Sequence, residues 1–402
     1  MNTVFKKKLS SLDNDIKDCL KILDDIDIYN DKDNLDKLFQ SLMEKYSYDD
    51  IFIDEAGNII GCINGYTQEE DIILLGNIDL NQNIQSVGTD VLYRNKMGIT
   101  EINKAALVTT LFCGVLLKRS ISALTGNLYI CLLPRYDCCD YGVQYLFNNF
   151  FKNKKFKGVI LSEPTNFNIN VGNKGRMEYQ INVKGAFDNS FLPNSNLNVM
   201  NMMYPLINEL EKVSGNLSKD RDFGESSLMI KDVSYSKKTV NNQSDSVNVI
   251  VDRTFSHEEN SQSILNKAKQ ITDNVYSKPQ IDVTTSIMED NIVTNNGQKK
   301  TYVKEYKPWK IEAHHPFVYT ALKTLQENDF KTDISYWKKI VTEGSYTFGE
   351  LNIPTIGFGL GNELEPNKKI LLSDIKKSIY GKALIIYRSI GMPTFGWSSD
   401  EI

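Results

Sequence analysis

Residues 71–80, DIILLGNIDL, form an apolar run that closes on Asn77 and Asp79. Such a run, without polar alternation, reads as a parallel strand buried on both faces. NLYICLLP and GVILSEP read as two more buried strands, and EINKAALVTTLFCGVLLKRS is long enough for a helix. Residues 140–152 also read as helical. Ahead of these, the first 45 residues read as charged helix, and YDDIFIDEAGNIIGCINGY reads as two strands joined by a Gly-Asn turn. The alternation predicts an α/β domain with a mostly parallel sheet and helices on both faces.

The pattern changes near Gly175. RMEYQINVKG alternates like a half-exposed strand, NLNVMNMMYPLINELEKV reads as a helix, and SSLMIKDVSY and SVNVIVDRTF read as strands. EENSQSILNKAKQITD reads as a helix with Ser256 as its N-cap, and QIDVTTSIMED as a last strand. The order β-α-β-β-α-β is that of a ferredoxin-like module. After residue 295 the first pattern resumes, with a helix at HPFVYTALKTLQEN, a strand and loop at IPTIGFGLG and a closing helix at LSDIKKSIYGKALIIYRSI. The expected organisation is an α/β domain of residues 1–173 and 292–402, interrupted by an inserted domain of residues 174–291.

Composition narrows the classes. In 402 residues, 41% are hydrophobic and 24% charged, enough for a real core. The net charge of −5 offers no electrostatic case for nucleic acid. The opening MNTVFKKKLSSLDND has lysines but no apolar stretch behind them, and no run of 18 apolar residues occurs anywhere. Neither a signal peptide nor a membrane span is expected. Six cysteines without framework spacing fit reduced thiols and a cytoplasmic protein.

Several motifs have bland readings that outweigh the sharp ones. Gly357, Gly359 and Gly361 in GFGLG lack the G-x-G-x-x-G spacing and following helix of a dinucleotide loop. Adjacent Cys138 and Cys139 have no second pair at zinc spacing. His314 and His315 precede Pro316 and fit a helix cap better than a metal site. The polar residues at the strand ends say more. Asp79 ends one buried strand, Glu163 another, and Arg135 with Tyr136 a third. In an open α/β sheet, ligands bind at the carboxyl ends of the strands.

At GNIDLN, SEPTNFNINVGNKGRMEYQINVKG, VNVIVDRTFSHEE and IPTIGFGLGNELEPN the chain resembles a family of di-zinc hydrolases. That family includes acetylornithine deacetylase, succinyl-diaminopimelate desuccinylase, aminoacylase and carboxypeptidase G. The EPTN…GNKGRMEYQINVKG run is most similar to its selenium-metabolism-linked branch. The resemblance covers nearly the whole chain, and it implies that the inserted module is a lid and dimerisation domain. It also implies two zinc ions that activate water and polarise an amide carbonyl.

The metal ligands that the resemblance implies are mostly replaced. The Gly-His-x-Asp strand end becomes Gly76, Asn77, Ile78, Asp79, so the zinc-binding His is Asn while the Asp that orients it stays. The bridging Asp aligns with Ile99, the paired Glu-Glu with Arg135 and Tyr136, and the last His with Leu364. The lid His that reaches the substrate aligns with Asn189, and one acidic ligand is kept as Glu163. His257, His314 and His315 are the chain's three histidines, and none falls at a site position. Arg135 would repel Zn²⁺ and is expected within salt-bridge reach of Glu163 or Asp79.

The expectation is a family member without two-zinc chemistry, with Asp79 and Glu163 as catalytic remnants. Asn77, Asp79, Arg135, Tyr136, Glu163, Asn189 and Arg253 would line a ligand cleft. No metal is expected, and the chain would work as a homodimer through the lid, binding a small molecule or a protein partner. The rival expectation is an active hydrolase of N-acyl or N-carbamoyl amino acids or peptides. It would use Asp79, Glu163 or Asp137, or a relocated metal.

Overall fold

A computed structural model of the chain describes residues 2–25, 32–67, 69–79, 101–120, 123–135, 140–185, 199–236, 245–276, 281–293, 297, 299–365 and 369–392. The chain divides into two compact units. The larger holds the residues up to Asn173, Val293–Lys300 and the residues from Lys310 onward. The smaller holds Lys174–Ile292 and Thr301–Trp309.

In the larger unit the strands are β1 (Asp50–Ile53), β2 (Ile59–Ile63), β3 (Asp71–Asp79), β4 (Leu128–Arg135), β5 (Phe156–Leu161) and β6 (Ile169–Asn173). Their order runs β1-β2-β4-β3-β5, followed by the strand Thr355–Gly357 and then β6. β3 lies between β4 and β5, parallel to both. Both its edges are therefore paired, and the burial of the consecutive Ile72, Ile73, Leu74 and Leu75 shows that both its faces are covered. Each such side chain contributes about 1.5–3 kcal/mol of hydrophobic stabilisation. The helix Glu101–Arg119 packs on β3 and on the closing helix Leu372–Ile390. Gly76 lets that first helix come close, since a Cβ there would lie 3.0 Å from Thr110 Oγ1.

The smaller unit is an antiparallel sheet in the order Ser227–Ser236, Asp245–Phe255, β7 (Gly175–Gly185), Ile281–Ile287. The helices Val199–Ser214 and Ser261–Val275 cover one face. On β7 the residues Met177, Tyr179, Ile181 and Val183 point into that core, as strand alternation requires. The expected fold class is present: a mostly parallel α/β sheet and a separate β-α-β-β-α-β module. β7 is also extended by the short strand Glu305–Tyr306.

One expected cap is corrected. Asn260, not Ser256, begins the helix Ser261–Val275, through a capping box with Ser263. Ser256 is buried four residues earlier. His315 does cap its helix, with Nδ1 accepting from Phe317 N at 3.2 Å. No helix among the described residues is long and apolar enough to cross a membrane.

Candidate functional site

Three loops and strand ends of the larger unit converge on Asn77. Its Nδ2 donates to Glu163 Oε1 and also to Glu343 Oε1, the latter at 2.9 Å. All three residues are buried. Asn77 comes from the last turn of the β3 ladder, opposite Leu133 of β4. Glu163 follows β5, whose pairing with β3 continues through Ser162 N to Leu75 O at 2.8 Å. Gly359 makes room for the Glu163 backbone, because a Cβ there would lie 2.3 Å from Glu163 O. Close approach is thus one job of the GFGLG glycines.

Glu343 was not singled out by sequence reasoning. It reaches the site through a loop pinned by Asn173, whose Oδ1 accepts from Thr342 N at 3.1 Å and Thr342 Oγ1 at 2.6 Å. Asn173 and Thr342 are both fully buried. The pairing spans 169 residues of sequence, so no local pattern announces it.

Behind this site lies a second residue missed from sequence. Lys382, on the closing helix, is fully buried. Its Nζ donates to Thr109 Oγ1 at 2.6 Å and to Ser162 Oγ. Burial pulls its pKa down to about 7, against the opposing pull of Cys113 and Glu163.

The other expected site residues divide as follows. The β3–β4 register sets Asp79 beside Arg135 along the backbone. The side chains of both, and all of Ile99, Tyr136, Asp137 and Asn189, lie outside the described residues, as do Cys138 and Cys139. Leu364 is exposed on a turn, with its N–H on Asn362 Oδ1 at 3.0 Å. Arg253 belongs to the smaller unit. There its guanidinium is buried against Glu259 at 2.7 Å and the carbonyls of Thr254 and Ser227.

No family model matches the chain. Among curated proteins it is 25% identical over 349 residues to the uncharacterized protein YgeY of Escherichia coli K12, covering 81% of this chain and 82% of that one. Among solved structures it matches Bacillus subtilis YxeP, a dinuclear metal binding peptidase from the M20 family. That match has a TM-score of 0.66 at 12% identity and covers 94% of this chain and 98% of YxeP. The chain has the M20 peptidase fold. Saccharomyces cerevisiae Dug1p, a dipeptidase, matches similarly, with a TM-score of 0.65 at 13% identity over 97% of this chain and 98% of that one. The resemblance read from the motifs is borne out in the fold.

The described residues do not fit the two-metal centre that the M20 fold implies. A zinc pair needs imidazole and carboxylate electron pairs aimed at common points. Here an amide N–H of Asn77 is aimed at Glu163 and Glu343, and it takes up oxygen lone pairs that a metal would use. Among the described residues, no three His, Cys, Asp or Glu side chains group closely enough to hold a metal ion.

Proposed function

We propose that this protein is a binding or regulatory relative of the M20 hydrolases that does not carry out two-zinc hydrolysis. The observation that supports the reading most is the Asn77 bridge between Glu163 and Glu343. At these strand ends a neutral amide bridges the two acids. A ligand bound at these strand ends would be gripped by hydrogen bonds and charge rather than by a polarising cation. A panel of N-acyl amino acids and dipeptides tests this in two assays. Ligand-induced thermal stabilisation in the presence of chelator, with no amide hydrolysis, is the expected result. Turnover that chelator abolishes would overturn it.

The second reading is an active hydrolase of N-acyl or N-carbamoyl amino acids or peptides with a relocated metal. What favours it is Glu343, a buried carboxylate beside Glu163 that could join a new ligand set. Metal-dependent turnover lost in Glu343→Gln would support it.

We also infer a homodimer through the smaller unit. Its strand Ser227–Ser236 lies at the end of the sheet order and exposes Met229, Val233 and Tyr235. Among the described residues no further strand continues the sheet beyond it, and an apolar strand at a sheet edge is a ready template for a second strand. Light scattering at tens of micromolar that returns a monomer mass would remove this part of the reading.

A further inference from the structure

The smaller unit holds a cavity of about 540 Å³ between its two helices and its sheet. Leu228 lines it from the sheet, Val213 from the helix Val199–Ser214, and Ile264, Ala268 and Ile271 from the helix Ser261–Val275. These walls are apolar, and the volume is that of an ordinary small-molecule pocket. Every lining residue belongs to this unit, and none is part of the Asn77 site.

The sheet side of the cavity is polar. Tyr179 on β7 lines it with 1% of its surface exposed, and its hydroxyl has no hydrogen-bond partner among the described residues. A buried tyrosine hydroxyl normally finds a partner. Leaving one unbonded costs free energy that a phenylalanine would avoid. Burial pushes the Tyr179 pKa up to about 12, so the phenol is protonated at neutral pH and offers a donor.

Arg253 lines the cavity from the neighbouring strand, where Val251 is the register partner of Tyr179. Strand alternation sets Arg253 on the same face as Val251. Its Nη2 donates to Glu259 Oε2 at 2.7 Å, and its Nη1 to the carbonyls of Thr254 and Ser227. Its Nε–H has no partner among the described residues. Glu259 is already engaged at both oxygens, since Oε1 accepts from Lys267 Nζ at 3.2 Å. The other acid of the lining, Glu258, is exposed. The buried side of the cavity therefore offers donors, Tyr179 O–H and Arg253 Nε–H, with no acceptor to spare.

We propose that this cavity binds a small carboxylate with an apolar body, the carboxylate accepting from Tyr179 and Arg253 and the apolar part lying between the two helices. A carboxylate has two oxygens for the two donors, and such charge-assisted bonds outweigh neutral ones. Arg253 and Lys267 together offset Glu259, so that acid does not repel the ligand. The exposed ammonium groups of Lys212 and Lys267 also line the cavity and draw an anion toward it. An amine ligand would find only Glu258.

Isothermal calorimetry on the full chain tests this with 4-phenylbutyrate as the probe and 4-phenylbutanol as its uncharged counterpart. One phenylbutyrate is expected per chain, bound about tenfold or more tighter than the alcohol. Tyr179→Phe should weaken the acid's binding about five- to tenfold. It should leave the melting temperature of the unliganded chain unchanged or higher, because the hydroxyl it removes has no partner there. Ile271→Trp fills the cavity from a partly buried helix position and should abolish binding. If one of the two variants does not fold, the other decides alone. No binding of the acid, equal binding of acid and alcohol, or binding that a folded variant leaves unchanged would overturn the proposal. A lower melting temperature of unliganded Tyr179→Phe would also overturn it, since the hydroxyl would then be serving the fold. None of these outcomes bears on whether the Asn77 site uses metal.

Discussion

Two places in this molecule bury carboxylates, and they solve the problem differently. In the smaller unit, Glu178 is almost wholly buried on β7. Lys231 Nζ meets its Oε1 at 2.5 Å, Lys304 Nζ its Oε2 at 3.2 Å, and Arg176 lies 3.5 Å away. In the larger unit, Glu163 and Glu343 share the neutral amide of Asn77, with a buried ammonium behind the strand. Direct pairing satisfies charge and hydrogen bonding together. At Asn77 the amide supplies hydrogen bonds to both acids. The first arrangement suits a structural brace. The second leaves acids able to exchange partners, as a binding site needs.

The sharpest way to break this contrast is Asn77→Asp. It replaces a donor by a third acceptor among buried acids, and such uncompensated charge costs about 3–5 kcal/mol. Denaturant unfolding at pH 7 should show that loss, and a metal ion should restore part of it. Unchanged stability would mean that the acids are less confined than the structure places them.

Removing the braced acid should cost less. Glu178→Gln leaves Lys231 and Arg176 partly exposed, and Arg176 keeps Asp252 at 2.5 Å, so water and neighbours take up much of the charge. A loss of about 1–3 kcal/mol is expected from the same unfolding measurement.

The pH dependence of Glu178 follows from its surroundings. Burial by itself would raise its pKa, but Lys231 and Lys304 more than offset that and hold it below its ordinary 4.5. An acid depressed in the folded state stabilises above its unfolded pKa and loses that contribution as pH falls through the folded value. Wild type should therefore lose stability below about pH 4.5 more steeply than Glu178→Gln, a difference that melting curves across pH 2–6 can read.

The smallest expected effect lies away from both carboxylate sites. His315→Ala removes a helix cap and should cost about 1 kcal/mol. A larger loss would give His315 a role beyond capping.

How much of this was legible in the chain depends on how far each contact reaches. The apolar run of β3 and the alternation in RMEYQINVKG are local signals, and both became the strands they resemble. Asn77 and Glu163 were visible because each ends such a strand. Glu343 was hidden because Asn173 sets its place from 169 residues away through Thr342. Lys382 was hidden because a lysine in IYGKALIIY reads as a solvent-facing position, and its enclosure comes from tertiary packing, including that of its helix on Glu101–Arg119. Ser256 was mistaken for a cap since its residue type fits one. Asn260 took that place by bonding Ser263 N at 2.9 Å.

What occupies the strand ends around Asn77 separates a metal-free binding site from a metal-dependent hydrolase. Elemental analysis of the purified chain after dialysis at neutral pH addresses this directly, alongside Glu163→Gln treated identically. The expected result is zinc far below one ion per chain in both. One or more zinc ions per wild-type chain, lost in Glu163→Gln, would contradict it.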